Sequence, residues 1–165
     1  MPTRKGNNLE DLFVETLKDI FFAEKQILRA LPKMAKAADS PQLKEAFETH
    51  RDETEAQVER LNHVFEAMGR PARGKTCDAI LGIIDEAKEI MEDFDGGEAL
   101  DAGLTAAAQA VEHYEIARYG TLKAWARQLG MQDAARLLDE TLKEEVKTDK
   151  LLTDLATSEA NKKAA

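Results

Sequence analysis

The sequence has 165 residues, enough for one domain with its own hydrophobic core. The formal net charge of −9 disfavours non-specific binding to nucleic acid or to anionic membranes, and the single cysteine excludes an intramolecular disulfide. Charged residues make up 33% and aromatic residues only 5%, and the long segments are rich in Ala, Leu, Glu and Lys, which favours helices over a β-rich fold.

The N-terminal segment Met1–Asn8 is polar and lacks the apolar run of a signal peptide. No stretch of the chain approaches the roughly 18 consecutive apolar residues that indicate a membrane span. Together with the single cysteine, these observations predict a soluble, cytoplasmic protein without a membrane partner.

The first two long helices are predicted at about residues 9–38 and 41–68. Asn8 is a favourable N-cap for the first helix, and Ser40 caps the second with Pro41 at its first position. Because the link between the two helices is short, they are expected to form an antiparallel hairpin.

A second hairpin is predicted from helices at about residues 98–129 and 131–158, separated by Gly130. The connection between the hairpins is long and contains a shorter helix, at about residues 78–94, and the tail from Glu159 onward is expected to fray. Two hairpins joined by a long crossover predict an all-α, ferritin-like four-helix bundle, formed as a single domain by the whole chain, with a short extra helix in the crossover.

Acidic residues and one histidine interrupt the apolar stripes of the long helices near their midpoints, where helical periodicity predicts core residues. The positions are Glu24 on the first helix, His50 and Glu53 on the second, Glu112 and Glu115 on the third, and Glu144 and Glu145 on neighbouring stripes of the fourth. At a rise of roughly 1.5 Å per residue, these groups meet at one level of an aligned bundle.

Carboxylates that meet in a bundle core without a cation are costly, and a pair of divalent metal ions removes that cost. The pattern therefore predicts two Fe ions, or Mn ions, per chain and redox chemistry with oxygen or peroxide. It leaves open whether Glu144 or Glu145 points inward, and whether Asp149 supports the site or is a solvated flank.

Two alternatives remain at this point. Since a third of the chain is charged, the acids can instead be solvated flanks of a metal-free helical-bundle scaffold that acts through dimerisation. A DNA-protecting bundle is the other alternative; its basic stretches would be Arg4-Lys5 and residues 70–75, but the net charge of −9 disfavours a nucleic-acid partner.

Several segments of the chain resemble the YciF/YciE family, and the resemblance covers about residues 9–160. The segment from the third helix is the most specific of them. These segments are Ala23-Glu24-Lys25-Gln26, the string EHYEIARYGTL at residues 112–122, and residues 141–145 followed by Thr148-Asp149.

The resemblance implies a ferritin-like protein of bacterial stress responses, a dimer, and a ferroxidase or peroxidase-type activity. It implies metal-facing roles for Glu24, Glu53, Glu112, Glu115 and Glu144, with His50, Glu145 and Asp149 as further candidate ligands. The sequence departs from the usual di-iron pattern, because ferritin-like proteins commonly carry Glu-x-x-His on two helices. Here the second helix has the reverse order, His50-x-x-Glu53, and the fourth helix has no histidine, so the predicted site is rich in oxygen ligands.

Overall fold

The computed structural model describes residues 6–165, so the predicted basic pair Arg4-Lys5 and most of the polar N-terminal segment lie outside the described residues. These 160 residues form helices and connecting loops without a β-strand, which confirms the predicted all-α fold. The helices are α1 (Leu9–Ala37), α2 (Pro41–Ala67), α3 (Asp78–Asp93), α4 (Leu100–Gln128), α5 (Gln132–Leu155) and the short α6 (Asn161–Ala164).

The helix starts follow the capping signals in the sequence. The Asn8 side chain accepts a hydrogen bond from the Asp11 backbone N–H, and the Asp11 carboxylate accepts one from the Asn8 N–H, which completes a capping box at α1. The Ser40 hydroxyl oxygen accepts from the Leu43 N–H, and Pro41 occupies the first position of α2. Each cap satisfies a backbone donor that has no partner within its helix.

The four long helices form two hairpins, with the most extensive packing between α1 and α2 and between α4 and α5. The α1–α2 link contacts Asp101 at the start of α4, while His50, further along α2, faces Glu112, further along α4. These contacts fall in the same order along both helices, so α2 and α4 run in the same direction. The α2–α4 connection must therefore traverse the length of the bundle, as in the ferritin-like plan.

The crossover helix α3 packs against α4 and α1 and buries Ile80, Ile84 and Ala87. It therefore covers one side of the bundle. At the C-terminus, α5 passes into a five-residue π-helical segment, Ala156–Ala160, and then into α6. The prediction that the chain frays from Glu159 is wrong, because Ala156 and Ala160 are buried and hold this segment helical to Ala164.

Across residues 6–165, no helix combines the length and the apolar character that crossing a bilayer requires.

A buried carboxylate joins the two hairpins at one end of the bundle. The Asp101 side chain, which is 3% exposed, accepts hydrogen bonds of 2.8 Å from the backbone N–H groups of Asp39 and Ser40. Hydrogen bonds to a charged acceptor are stronger than neutral ones. The α1–α2 turn is thereby fixed to the first turn of α4.

Replacing Asp101 by Ala is expected to lower the free energy of unfolding by about 2 kcal/mol, because two backbone donors lose their acceptor in a buried position. Asp133→Ala is the matched control, since Asp133 is an exposed acid in the first turn of α5. Urea unfolding of the parent and both variants measures the difference. Equal losses in the two variants would assign the effect to the helix dipole and contradict a specific role for Asp101.

Candidate metal centre

Four potential metal ligands converge in the core between α2, α4 and α5. Each of His50, Glu112, Glu115 and Glu145 offers one ligand atom, and these atoms all lie within 4.8 Å of one another. Their exposed fractions are 4%, 1%, 0% and 0%, respectively. Such a concentration of acids is unusual in a protein interior, where carboxylates are almost never fully buried without a partner.

Helical spacing explains how α4 supplies two of the four groups. Glu112 and Glu115 lie three residues apart and therefore point from the same face. Val111, Tyr119 and Leu122 on α4 are buried as well, so α4 is covered by the other helices over much of its circumference. Acids at these positions cannot reach solvent and must lie in the bundle centre.

Glu24 of α1 is a fifth buried group beside the cluster. It is fully buried, and the Tyr119 hydroxyl donates a hydrogen bond to its Oε1. Its carboxyl group lies near enough to Glu115 and Glu145 for each to influence its pKa. All four long helices thus contribute to one polar centre.

Most polar atoms of this centre have no hydrogen-bond partner among residues 6–165. The His50 Nε2 atom lies 2.7 Å from Glu112 Oε1, but the pair lacks the angular geometry of a hydrogen bond. With the carboxyls ionised, both oxygens of Glu112 and of Glu115, both ring nitrogens of His50 and one oxygen each of Glu24 and Glu145 have no hydrogen-bond partner. Once protonated, Glu112 can share a hydrogen bond with Glu145, and Glu115 can share one with Glu24. Buried polar atoms are normally satisfied, and the four clustered residues among them could hold a metal ion.

Burial and mutual repulsion alter the acidity of the centre. Burial first, and the neighbouring Glu145 charge second, raise the pKa of Glu24 to about 8. Burial likewise raises the pKa of Glu112 to about 8, and burial and the adjacent carboxylates raise the pKa of Glu115 and Glu145 well above the usual range. Without a cation, these groups retain protons at neutral pH.

A second layer lies between this centre and the surface. The Gln57 amide donates hydrogen bonds to Glu145 and, at 3.0 Å, to Glu144. The Arg60 guanidinium binds both oxygens of Glu144, at 2.6 and 2.8 Å, and helps lower the pKa of that carboxyl. Glu144 is therefore neutralised by arginine, whereas its neighbour Glu145 faces the cluster.

Two predicted ligands lie at the edge of the centre. Glu53 is half-buried, and its carboxylate accepts a hydrogen bond of 3.4 Å from the Thr148 hydroxyl. Asp149 is also half-buried and contacts His113 at 3.1 Å and Gln109 at 3.3 Å. Both residues lie near enough to raise the pKa of Glu112, but their ligand atoms lie outside the group of four.

The structure thus brings five of the eight candidate residues to the bundle centre and keeps three away from it. Two of these three residues, Glu53 and Asp149, lie half-buried at the edge of the centre. The third, Glu144, is bound by the Arg60 guanidinium.

Arg60 was not predicted from the sequence. It lies four residues before the core position Val64, and an arginine there is expected at the solvated edge of a helix. Its role depends on Glu144 of the facing helix α5. The sequence does place the polar residue Gln57 near the apolar stripe of α2, and in the structure this side chain is buried and donates a hydrogen bond to Glu145.

Comparison with known proteins agrees with this architecture. Residues 8–165 match the family described as "Domain of unknown function (DUF892)". Protein YciF of Escherichia coli strain K12 is 49% identical over 157 residues, which span 94% of this chain and 95% of that protein.

Two solved structures are similar over nearly their whole length. The crystal structure of the E. coli stress protein YciF has a TM-score of 0.90 at 47% identity and covers 95% of this chain and 99% of its own. A protein from Rhodopseudomonas palustris named YcfI, provisionally described as structural, has a TM-score of 0.89 at 44% identity, with 93% and 98% covered. The chain belongs to the DUF892 family and is a homologue of the E. coli stress protein YciF.

Proposed function

We propose that the buried centre holds two divalent metal ions, Fe or Mn, and that the protein oxidises Fe(II) with oxygen or peroxide in a cytoplasmic stress response, as a homodimer. The proposed ligands are Glu24, His50, Glu112, Glu115 and Glu145. The observation that carries the proposal is the set of buried carboxylate and imidazole groups without a neutralising partner, four of which offer ligand atoms that lie within 4.8 Å of one another.

Charge balance supports two ions rather than one. The centre contains four fully or almost fully buried carboxyl groups, on Glu24, Glu112, Glu115 and Glu145. When ionised, four carboxylates carry the charge that two divalent cations neutralise. Histidine binds metal ions as a neutral imidazole, so His50 would add no charge, and the outer Glu144–Arg60 pair is already balanced. A single ion would balance only two of the four carboxylates, and the other two would have to remain protonated to avoid the cost of buried charge.

The donor set favours hard or borderline metals. Carboxylate oxygens suit Mn and Fe(II), and imidazole suits Fe, whereas a thiophilic ion would want cysteine. Cys77 is buried at the N-terminus of α3 and contacts Tyr114, and it is not among the four residues whose ligand atoms converge. The oxygen-rich site predicted from the sequence thus remains the proposal, with Glu145 in place of Glu144 as the ligand from α5.

The residues of this chain have distinct tasks in the proposed reaction. A bound metal pair would supply the one-electron steps that oxygen or peroxide requires. The Gln57 amide holds Glu145, and the Tyr119 hydroxyl holds Glu24, so both carboxylates are oriented before any ion arrives. Carboxyls with raised pKa would release their protons to solvent as the ions bind.

The description of the R. palustris relative as structural favours the second candidate, a metal-free scaffold. In that case the unpartnered carboxyls would be protonated and would serve only the packing of the bundle. Metal binding separates the two candidates, because a scaffold has no saturable site.

Glu145→Gln is expected to abolish binding of Mn(II), whereas Glu144→Gln is expected to leave the affinity within about threefold of the parent. The two residues are adjacent on α5 and the substitutions are identical, so they form a matched pair. In chelator, the Glu145 variant should be more stable than the parent, because an amide needs no proton to be buried. The Glu144 variant should lose about 1 kcal/mol with its arginine pair.

Calorimetric titration with Mn(II) and thermal melts in chelator and in excess Mn(II) measure these effects. Excess Mn(II) should raise the melting temperature of the parent and of the Glu144 variant only, because binding stabilises the native state. Equal metal affinity in all three proteins would eliminate the proposed centre.

Anaerobic protein given Fe(II) and then oxygen is expected to form ferric product about tenfold or more faster than protein-free buffer. Glu112→Gln should remove the acceleration, since it deletes a carboxylate in the middle of the cluster. Stopped-flow absorbance in the near ultraviolet follows the product, and Glu144→Gln again serves as the control. Saturable iron binding without faster oxidation would contradict the proposed oxidase activity and would indicate a protein that only stores metal.

In chelator, the free energy of unfolding is expected to fall as the pH rises from about 5 to about 8. The pKa values of Glu24 and Glu112 rise from 4.5 in the unfolded chain to about 8 in the folded protein. The native state therefore binds more protons than the unfolded state in this window, and each extra proton contributes a slope of about 1.4 kcal/mol per pH unit.

Glu112→Gln should make this dependence shallower, because one of the excess protons is removed. Urea unfolding at several pH values measures the slope in both proteins. Parallel curves for the parent and the variant would show that Glu112 is not a buried, protonated carboxyl.

A further inference from the structure

An apolar cavity of about 130 Å³ adjoins the centre and lies between α1, α3 and α4. His50 and Glu112 are among the residues that line it, and both are almost fully buried. These two residues form its inner end. A molecule in the cavity would therefore contact two of the proposed metal ligands.

The walls of the cavity are built from apolar side chains of three helices. Ile27 and Met34 come from α1, Ile84 from α3 and Val111 from α4, and all four are less than a tenth exposed. An apolar protein cavity of about 150 Å³ is known to bind benzene. The volume here thus suits a single small ring or a short alkyl chain.

The outer end of the cavity is basic. Arg29, Lys33 and Lys88 line it and are exposed to solvent. Lys88 lies 3.4 Å from Asp85, but Arg29 and Lys33 have no ion-pair partner within residues 6–165. Three cations around one opening stand out in a chain of net charge −9. They attract an anionic group to the mouth.

We propose that this cavity binds a small amphipathic monocarboxylate whose apolar part is about the size of a benzene ring. The inference deepens the proposed function and rests on it, since the inner end of the cavity is formed by two proposed ligands. The walls of the cavity are apolar and its cations lie at the mouth, so the apolar part enters and the carboxylate remains at Arg29 and Lys33. A bound molecule then closes one route by which an oxidant or a metal ion reaches His50 and Glu112.

Benzoate and hexanoate are the probes, and benzyl alcohol and benzylamine are the neutral and cationic comparators. Titrations of the full chain in chelator, followed by calorimetry and by nuclear magnetic resonance shifts, should show the two carboxylates binding more tightly than either comparator. Arg29→Gln and Lys33→Gln should each weaken benzoate binding roughly two- to fivefold, the range for an exposed ion pair. Lys36→Gln is the control, because Lys36 is an exposed lysine on the same helix that does not line the cavity.

Ala87→Leu tests the cavity itself, since Ala87 lines it and is 3% exposed. The larger side chain should weaken benzoate binding at least about tenfold, because it occupies the space of the ring. Circular dichroism checks that this variant folds, and the exposed rim variants give an independent result if it does not. Failure of both carboxylates to bind the parent, equal binding of benzoate and benzyl alcohol, or an equal effect of Arg29→Gln and Lys36→Gln would overturn the proposal.

Mn(II) titration of the same proteins separates this inference from the proposed function. The rim variants should retain the parent's Mn(II) affinity, and saturating benzoate should slow Mn(II) uptake by the parent but not by Ala87→Leu. Mn(II) binding without benzoate binding would reject the cavity proposal alone. Benzoate binding with the expected charge dependence but without any Mn(II) binding would reject the metal centre and the coupling to it.

Discussion

Four carboxyl groups buried at the level where the long helices meet are the constraint on which the rest of this structure depends. Ionised and unpaired, they would oppose folding, because each would be removed from water beside other negative charges. The folded chain can exist only if these groups hold protons or bind cations. The raised pKa values of Glu24 and Glu112, to about 8, correspond to the first state, and the cluster of His50, Glu112, Glu115 and Glu145 could support the second.

The surroundings of the centre separate groups that stay charged from groups that do not. Arg60 neutralises Glu144, and the uncharged amide of Gln57 donates hydrogen bonds to both Glu144 and Glu145. Within residues 6–165, no lysine or arginine forms an ion pair with the inner carboxylates, although Arg60 is only one layer away. A bundle that needed its acids only for packing would gain stability by pairing them. Leaving them unpaired is a cost to stability that a metal site would justify.

The connection between α2 and α4 affects both the topology of the bundle and the access to its buried centre. Because α2 and α4 run in the same direction, the connection between them must span the bundle, and α3 is the helical part of that connection. Its buried face covers one side of α1 and α4 and forms one wall of the apolar cavity that ends at His50 and Glu112. The topology that distinguishes this bundle from a simple up-and-down arrangement therefore also shapes access to its centre.

The sequence by itself determined the helices, their hairpins and the depth of the polar centre. Caps such as Asn8 and Ser40 and the apolar periodicity are local signals, and the rise of a helix converts residue number into depth. Only the tertiary structure decided which acids point inward. Glu144 and Glu145 are adjacent and differ in direction by about 100° around α5. Their contacts come from Arg60 and Gln57 of α2, which lie more than 80 positions away in the chain. Helical periodicity carries no information about the facing helix, so only the packed bundle could assign one acid to an arginine and the other to the core.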